Sequence, residues 1–173
     1  MYGGLWVGVV AVSGSAVFVK LSDLSAANIA AGRMTLAVLL MAPFALRPAW
    51  RAWKDLGRKE AILLVLAGVG LGVHFAVWVA SLKYTSVASS VILVTTNPLF
   101  VSLGSRFLLK EPLSRGLIAG MVVAGVGAAC VAWTDAQGPG HGLTGDLLAL
   151  AGAVMFSVYL LAGACLRKTL SNA

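Results

Sequence analysis

Apolar residues fill six long stretches of this chain, residues 4–20, 28–46, 61–82, 86–109, 115–134 and 145–166, and polar residues collect in the short intervals between them. Each stretch holds roughly 17 to 24 residues, enough for a helix rising ~1.5 Å per residue to cross a ~30 Å hydrocarbon layer. None of the six has a polar face wide enough for the surface of a soluble domain. The pattern predicts an all-α, polytopic membrane protein with six transmembrane helices. The first stretch begins at once, with no basic region before it and no small-residue cleavage signal after it. It reads as a retained helix, not a signal peptide.

Composition agrees: 60% of the residues are hydrophobic and only 11% are charged. The net charge of +7 raises the question of a nucleic-acid partner, and the positions of the charges answer it. Ten of the thirteen Lys and Arg residues lie in, or within a turn of, the intervals after the second and fourth stretches and after the sixth. Lys20 and Lys83 are alone at the alternate intervals, and Arg33 is inside a helix. This is the positive-inside bias. It predicts a multi-pass protein of the inner (plasma) membrane with both termini cytoplasmic, its partner the lipid bilayer, with no nucleic acid. Cys130 and Cys165 sit within apolar runs without metal-ligand spacing and read as small buried residues. No metal, no cofactor and no enzyme motif is expected.

Several local features bear on packing. Gly4-x-x-x-Gly8, Gly68-x-x-x-Gly72 and Gly116-x-x-x-Gly120, with Gly125 further on, would let helix backbones approach closely. Pro43 and Pro48 mark an expected end of the second helix. Residues 47–60, with Trp50 and Trp53 among charges, then read as a short amphipathic segment at the interface. Pro98 lacks an N–H and crowds the carbonyl of Val94, so the fourth helix should kink there, as a hinge or as a static bend.

Polar side chains inside apolar helices should turn inward, because lipid leaves their hydrogen-bonding groups unmet. Ser13, Ser15, Arg33, His74, Trp78, Ser90, Thr95 and Asn97 are such residues. A buried charge costs ~2.5–3.5 kcal/mol on insertion scales, so Arg33 either orients its helix or contacts a solute. His74 and Trp78 are four apart and share a face; His74 either bonds a neighbouring helix or meets a solute. Glu111 either pairs with a base or caps the next helix, against a role in coupling.

An ordered set of short motifs then lines up: Ser25-Ala26-Ala27-Asn28-Ile29-Ala30-Ala31-Gly32-Arg33, Leu82-Lys83-Tyr84-Thr85-Ser86-Val87-Ala88-Ser89-Ser90, Asn97-Pro98-Leu99-Phe100, Leu108-Leu109-Lys110-Glu111-Pro112, and Gly120 with Gly125-Val126. Together they resemble the EamA-like transporters of the drug/metabolite transporter superfamily. The resemblance implies a partial inverted-repeat transporter bundle: residues 1–136 as a first five-helix repeat, 137–142 as a periplasmic Gly/Pro loop, and 143–173 as the first helix of a truncated second repeat. It implies a secondary carrier that exports a small-molecule substrate, a metabolite, amino acid or drug; the inward-turning Ser13, Arg33, His74, Trp78, Thr95 and Asn97 are then the candidates for its substrate pathway. Tyr159 joins them if the repeat symmetry holds. A missing C-terminal repeat or a second copy would then be the partner half, and the chain alone would not transport. The rival expectation is a non-transporting truncated remnant or membrane scaffold subunit.

Overall fold

The computed structural model describes residues 2–54, 56–137 and 142–171. Seven α-helices account for most of them: α1 Tyr2–Leu21, α2 Ala26–Lys54, α3 Arg58–Tyr84, α4 Val87–Val94, α5 Asn97–Gly104, α6 Arg115–Ala136 and α7 Leu143–Ser171. A π-helical turn, Ser105–Leu109, continues α5. In a hydrocarbon layer a helix is the one open-chain form that satisfies its own backbone, and no strand occurs among the described residues. The protein is a polytopic membrane protein. Five helical spans are long and apolar enough to cross a bilayer, with α4, α5 and the π-turn together making one of them, Val87–Leu109. The apolar part of α1, Gly8–Leu21, is shorter.

Serines start three of the helices. The hydroxyls of Ser25, Ser86 and Ser114 accept hydrogen bonds from the backbone N–H of Asn28, Ser89 and Leu117, at 3.2, 3.0 and 3.1 Å. Each satisfies an N–H that the first helical turn leaves unmet. The π-turn stops at Lys110, whose φ of 59° is left-handed and cannot continue the helix.

One boundary differs from the sequence expectation. Helix α2 runs through Pro43 and Pro48 to Lys54, so no separate interfacial segment follows residue 46. Each proline removes one backbone bond and crowds one carbonyl, of Leu39 and of Phe44, without ending the helix. Asp55 and residues 138–141 of the Gly/Pro loop lie outside the described residues.

The fourth span breaks where Pro98 predicted a kink. Helix α4 ends at Val94, Thr95 and Thr96 form a turn, and α5 restarts with Pro98 in its first turn, where a missing N–H costs nothing. The backbone N–H of Thr96 bonds the carbonyl of Leu93 at 3.2 Å, one residue tighter than an α-helix. The hydroxyls of Thr95 and Thr96 donate to the carbonyls of Ile92 and Leu93, at 2.9 and 2.6 Å.

Helices α3 and α7 form the central pair. Helix α7 also packs on α4 and α5; α1 packs on α3 and α4, α2 on α3, and α6 mainly on α4. One apolar cluster joins α1, α2 and α3 through Ala16, Val19, Ala30, Trp78, Val79 and Leu82. A second joins α4, α6 and α7 through Leu93, Ala128 and Ala149. The large apolar side chains of α2 and α6, such as Phe44 and Val123, face outward, as lipid contact requires.

The glycines that make close contacts are not the expected ones. Gly8, Gly68, Gly72, Gly116, Gly120 and Gly125 have open space where a Cβ would stand. Gly70, between the two expected positions on α3, is the one that meets α7: a Cβ there would lie 3.1 Å from the Met155 carbonyl oxygen and 3.1 Å from the Tyr159 nitrogen. The motif was legible, but the face that packs was set by where α7 lies. Cys130, expected to be buried, is exposed on α6 for the same reason.

Candidate functional site

A cavity of about 390 Å³ lies between the helices, large enough for a small solute. Helix α1 contributes Ser13, α2 Arg33, α3 His74 and Trp78, and Thr95 and Asn97 come from the broken fourth span. Six polar residues separated by as many as 84 positions in sequence therefore border one space. Apolar walls come from Phe75, Val91, Val94 and Phe156. Tyr159 is absent from the lining; its ring packs 5.7 Å from that of Phe156, and it is Phe156 that faces the cavity from α7.

Arg33 is half-buried, with its guanidinium carbon 5.1 Å from the Phe75 ring centre and 5.4 Å from that of Trp78. Aromatic faces carry negative potential and hold a desolvated cation well. The spacing of Phe75 and Trp78 on α3, three residues apart, brings both rings to the same face. Yet Arg33 Nη1 is buried with no hydrogen-bond acceptor, and so is Trp78 Nε1. A second crevice of about 520 Å³, bounded by Ser15, Ser22, Leu24 and Asn28 of the α1–α2 region, also has Arg33 in its wall.

His74 is bound to the scaffold. Its Nδ1–H donates to the Gly152 carbonyl on α7 at 2.9 Å, and the carbonyl fixes that tautomer because it can only accept. The imidazole stacks on Trp78, centroids 6.1 Å apart and planes 3° from parallel, and lies 4.8 Å from Phe156. Ser157 ties α7 to the break in the fourth span: its hydroxyl bonds the Ala153 carbonyl at 2.7 Å and reaches the Asn97 carbonyl at 3.1 Å. Between α3 and α4, the hydroxyls of Ser81 and Ser90 meet at 2.6 Å.

The two ends of the bundle are closed differently. Where α1 and α3 end, the lysines cross over. Lys20 of α1 donates to the Thr85 carbonyl at 2.8 Å, and Lys83 of α3 donates to the carbonyls of Val19 and Ser22. Each ammonium sits at the negative C-terminal end of the other helix. Beside them Thr85 Oγ1 donates to the carboxylate of Asp146 at 2.7 Å, in the first turn of α7. Asp146 is only 5% exposed. At the opposite end, Lys168 and Glu111 form an exposed pair at 3.3 Å.

Sequence reasoning missed Phe75, Phe156, Ser157 and Asp146. A signal existed for the α7 residues. Gly145, Ala149, Gly152, Ala153 and Ser157 repeat at helical spacing, a stripe of small residues marking the face on which other helices press.

An all-helical, membrane-spanning bundle with a solute-sized cavity, lined by a half-buried arginine and a few other polar groups, has the architecture of a membrane carrier. The EamA-like transporter family model matches residues 2–133, running through α1 to α5 and most of α6 and stopping short of α7. The chain belongs to this family of membrane transporters, within the drug/metabolite superfamily. No curated protein matches it.

Proposed function

We propose that this protein moves a small solute across the membrane by alternating access, and that the cavity around Arg33, His74 and Trp78 is where the solute rests. The observation that carries this reading is Arg33. It is a charged side chain within a membrane span, turned toward a cavity shared with five other helices. Ionisable residues inside membrane segments are costly and mark solute or ion pathways. A break such as that at Thr95–Pro98 lines binding sites in secondary carriers, where a helix can be interrupted because the gap faces a cavity.

Export, a metabolite, amino acid or drug as cargo, and energy from a solute or ion gradient belong to the same proposal. So does a partner half, either further helices or a second copy, completing the walls of the cavity. An inner-membrane location with cytoplasmic termini is supported by the basic side chains gathered at the end where α2 stops and α3 begins. Lys20 and Lys83, the basic residues of the other end, are engaged on helix carbonyls.

The test needs no known substrate. In a Cys130→Ser, Cys165→Ser background, Thr95→Cys is challenged with a membrane-impermeant maleimide in right-side-out and in inverted vesicles. Alternating access predicts labelling from both sides. Reaction from one side only, or from neither, would overturn the proposal.

A further inference from the structure

We infer that the solute is an organic anion: a carboxylate, or a similar oxyanion, on a compact apolar body. This deepens the carrier reading and rests on it.

Three observations converge on the head group. Among the described lining residues of the cavity Arg33 is the one charged side chain, and none is Asp or Glu. Two donors in the same patch are buried without acceptors, Arg33 Nη1 and Trp78 Nε1. Trp78 is 8% exposed, so bulk water does not readily replace a missing partner. A buried N–H left unpaired loses the hydrogen bond it made to water, and the loss is greater when it is charged. The guanidinium carbon lies 5.4 Å from the indole centre, so the two unmet donors belong to neighbouring side chains of one patch.

Several neighbouring groups are already engaged. His74 gives its Nδ1–H to Gly152, and the hydroxyls of Ser13 and Thr95 bond carbonyls of their own helices, of Val9 and Ile92. An ammonium would meet Arg33 with no carboxylate to offset the repulsion. A zwitterion would therefore gain from its carboxylate and lose at its amine. The remaining wall is apolar, from Phe75, Val91, Val94 and Phe156, which suits a hydrocarbon or aryl body. Arg33 and Trp78 are thus the residues that determine head-group specificity.

Equilibrium dialysis on the purified full chain in zwitterionic-lipid nanodiscs tests this with three probes of equal body: 3-phenylpropanoate, 3-phenylpropan-1-ol and 3-phenylpropylamine. The anion is expected to bind saturably, and at least about tenfold more tightly than the alcohol or the amine. Arg33→Gln should weaken anion binding about tenfold or more, and Arg33→Lys should restore part of it. Trp78→Phe keeps an aromatic face and removes only the N–H; it should weaken the anion several-fold and leave the alcohol unchanged. If the alcohol or amine binds as well as the anion, or if Arg33→Gln and Trp78→Phe bind the anion like the parent, the inference is wrong. Should such binding still be blocked by Val94→Trp, which fills the cavity, the carrier reading stands without the anion. Binding of none of the three probes overturns the anion inference, and two-sided labelling at Thr95 then judges the carrier reading on its own.

Discussion

Helices α6 and α7 are made of the same kinds of residue and end up in opposite surroundings. Both are apolar, and both carry small residues at helical spacing: Gly116, Gly120, Gly125 and Gly127 on α6, and Gly145, Ala149, Gly152 and Ala153 on α7. On α7 that stripe is buried. Ala149 and Ala153 are fully covered, and a Cβ on Gly145 would fall 2.7 Å from backbone atoms of Tyr84 and Thr85. On α6 all four glycines face open space. The polar residues divide the same way. Asp146 and Ser157 of α7 reach Thr85 and Asn97 on other elements, whereas Thr134 of α6 bonds only carbonyls of its own helix, at Cys130 and Val131. Small residues permit close packing in a membrane without compelling it. What converts permission into contact is a partner with matching shape and unmet polar groups.

The strongest way to break this comparison is at the glycines. Gly145→Ala should destabilise the protein by about 1–3 kcal/mol, because the new methyl meets backbone that cannot step aside. Gly120→Ala should stay within about 0.5 kcal/mol of the parent. Unfolding in mixed detergent micelles, titrated with sodium dodecyl sulfate, measures both. Equal losses would show that α6 is packed as tightly as α7.

A hydroxyl pair gives a smaller contrast. Thr85→Val removes a hydrogen bond to the buried Asp146 carboxylate and should cost about 1–2 kcal/mol by the same titration. Thr134→Val, on the α6 side, should be close to neutral. If Thr134→Val proves the more damaging, then the outer face of α6 is engaged by something that the bundle itself lacks.

The smallest effect is expected at Ser157. Ser157→Ala removes the link from α7 to the Asn97 carbonyl and should cost about 0.6 kcal/mol, the usual worth of an interhelical hydrogen bond in a membrane. Its more telling readout is the reactivity of Thr95→Cys toward maleimide. Loosening α7 from the break should change the labelling rate if that link sets the position of the break, and an unchanged rate would reduce Ser157 to a packing residue.

These contrasts locate what could be read beforehand. Helix existence was legible from apolar run length, because the hydrocarbon layer leaves few alternatives to a helix. The break at Pro98 was legible because proline chemistry is local. The end of α2 was misjudged because a proline inside a membrane helix is tolerated when its neighbours satisfy the freed groups, and those neighbours are not local. The polar residues of the cavity could be gathered by a single argument, that lipid rejects them. Tyr159, added by repeat symmetry, does not line the cavity, and the lipid argument passed over Phe75 and Phe156, since aromatic rings are content in lipid or in a cavity.

The sequence by itself determined that this chain crosses a membrane several times, that its basic residues are gathered at one end, and that it carries the motifs of the EamA-like family. Each of these depends on residue chemistry against a fixed solvent slab. Only the tertiary structure decided that α7 stands at the centre, that Gly70 and not Gly68 or Gly72 is pressed, and that the guanidinium of Arg33 and the indole N–H of Trp78 lack acceptors beside one cavity. Those outcomes depend on which helix faces meet, and a helix of uniform hydrophobicity does not encode its own orientation.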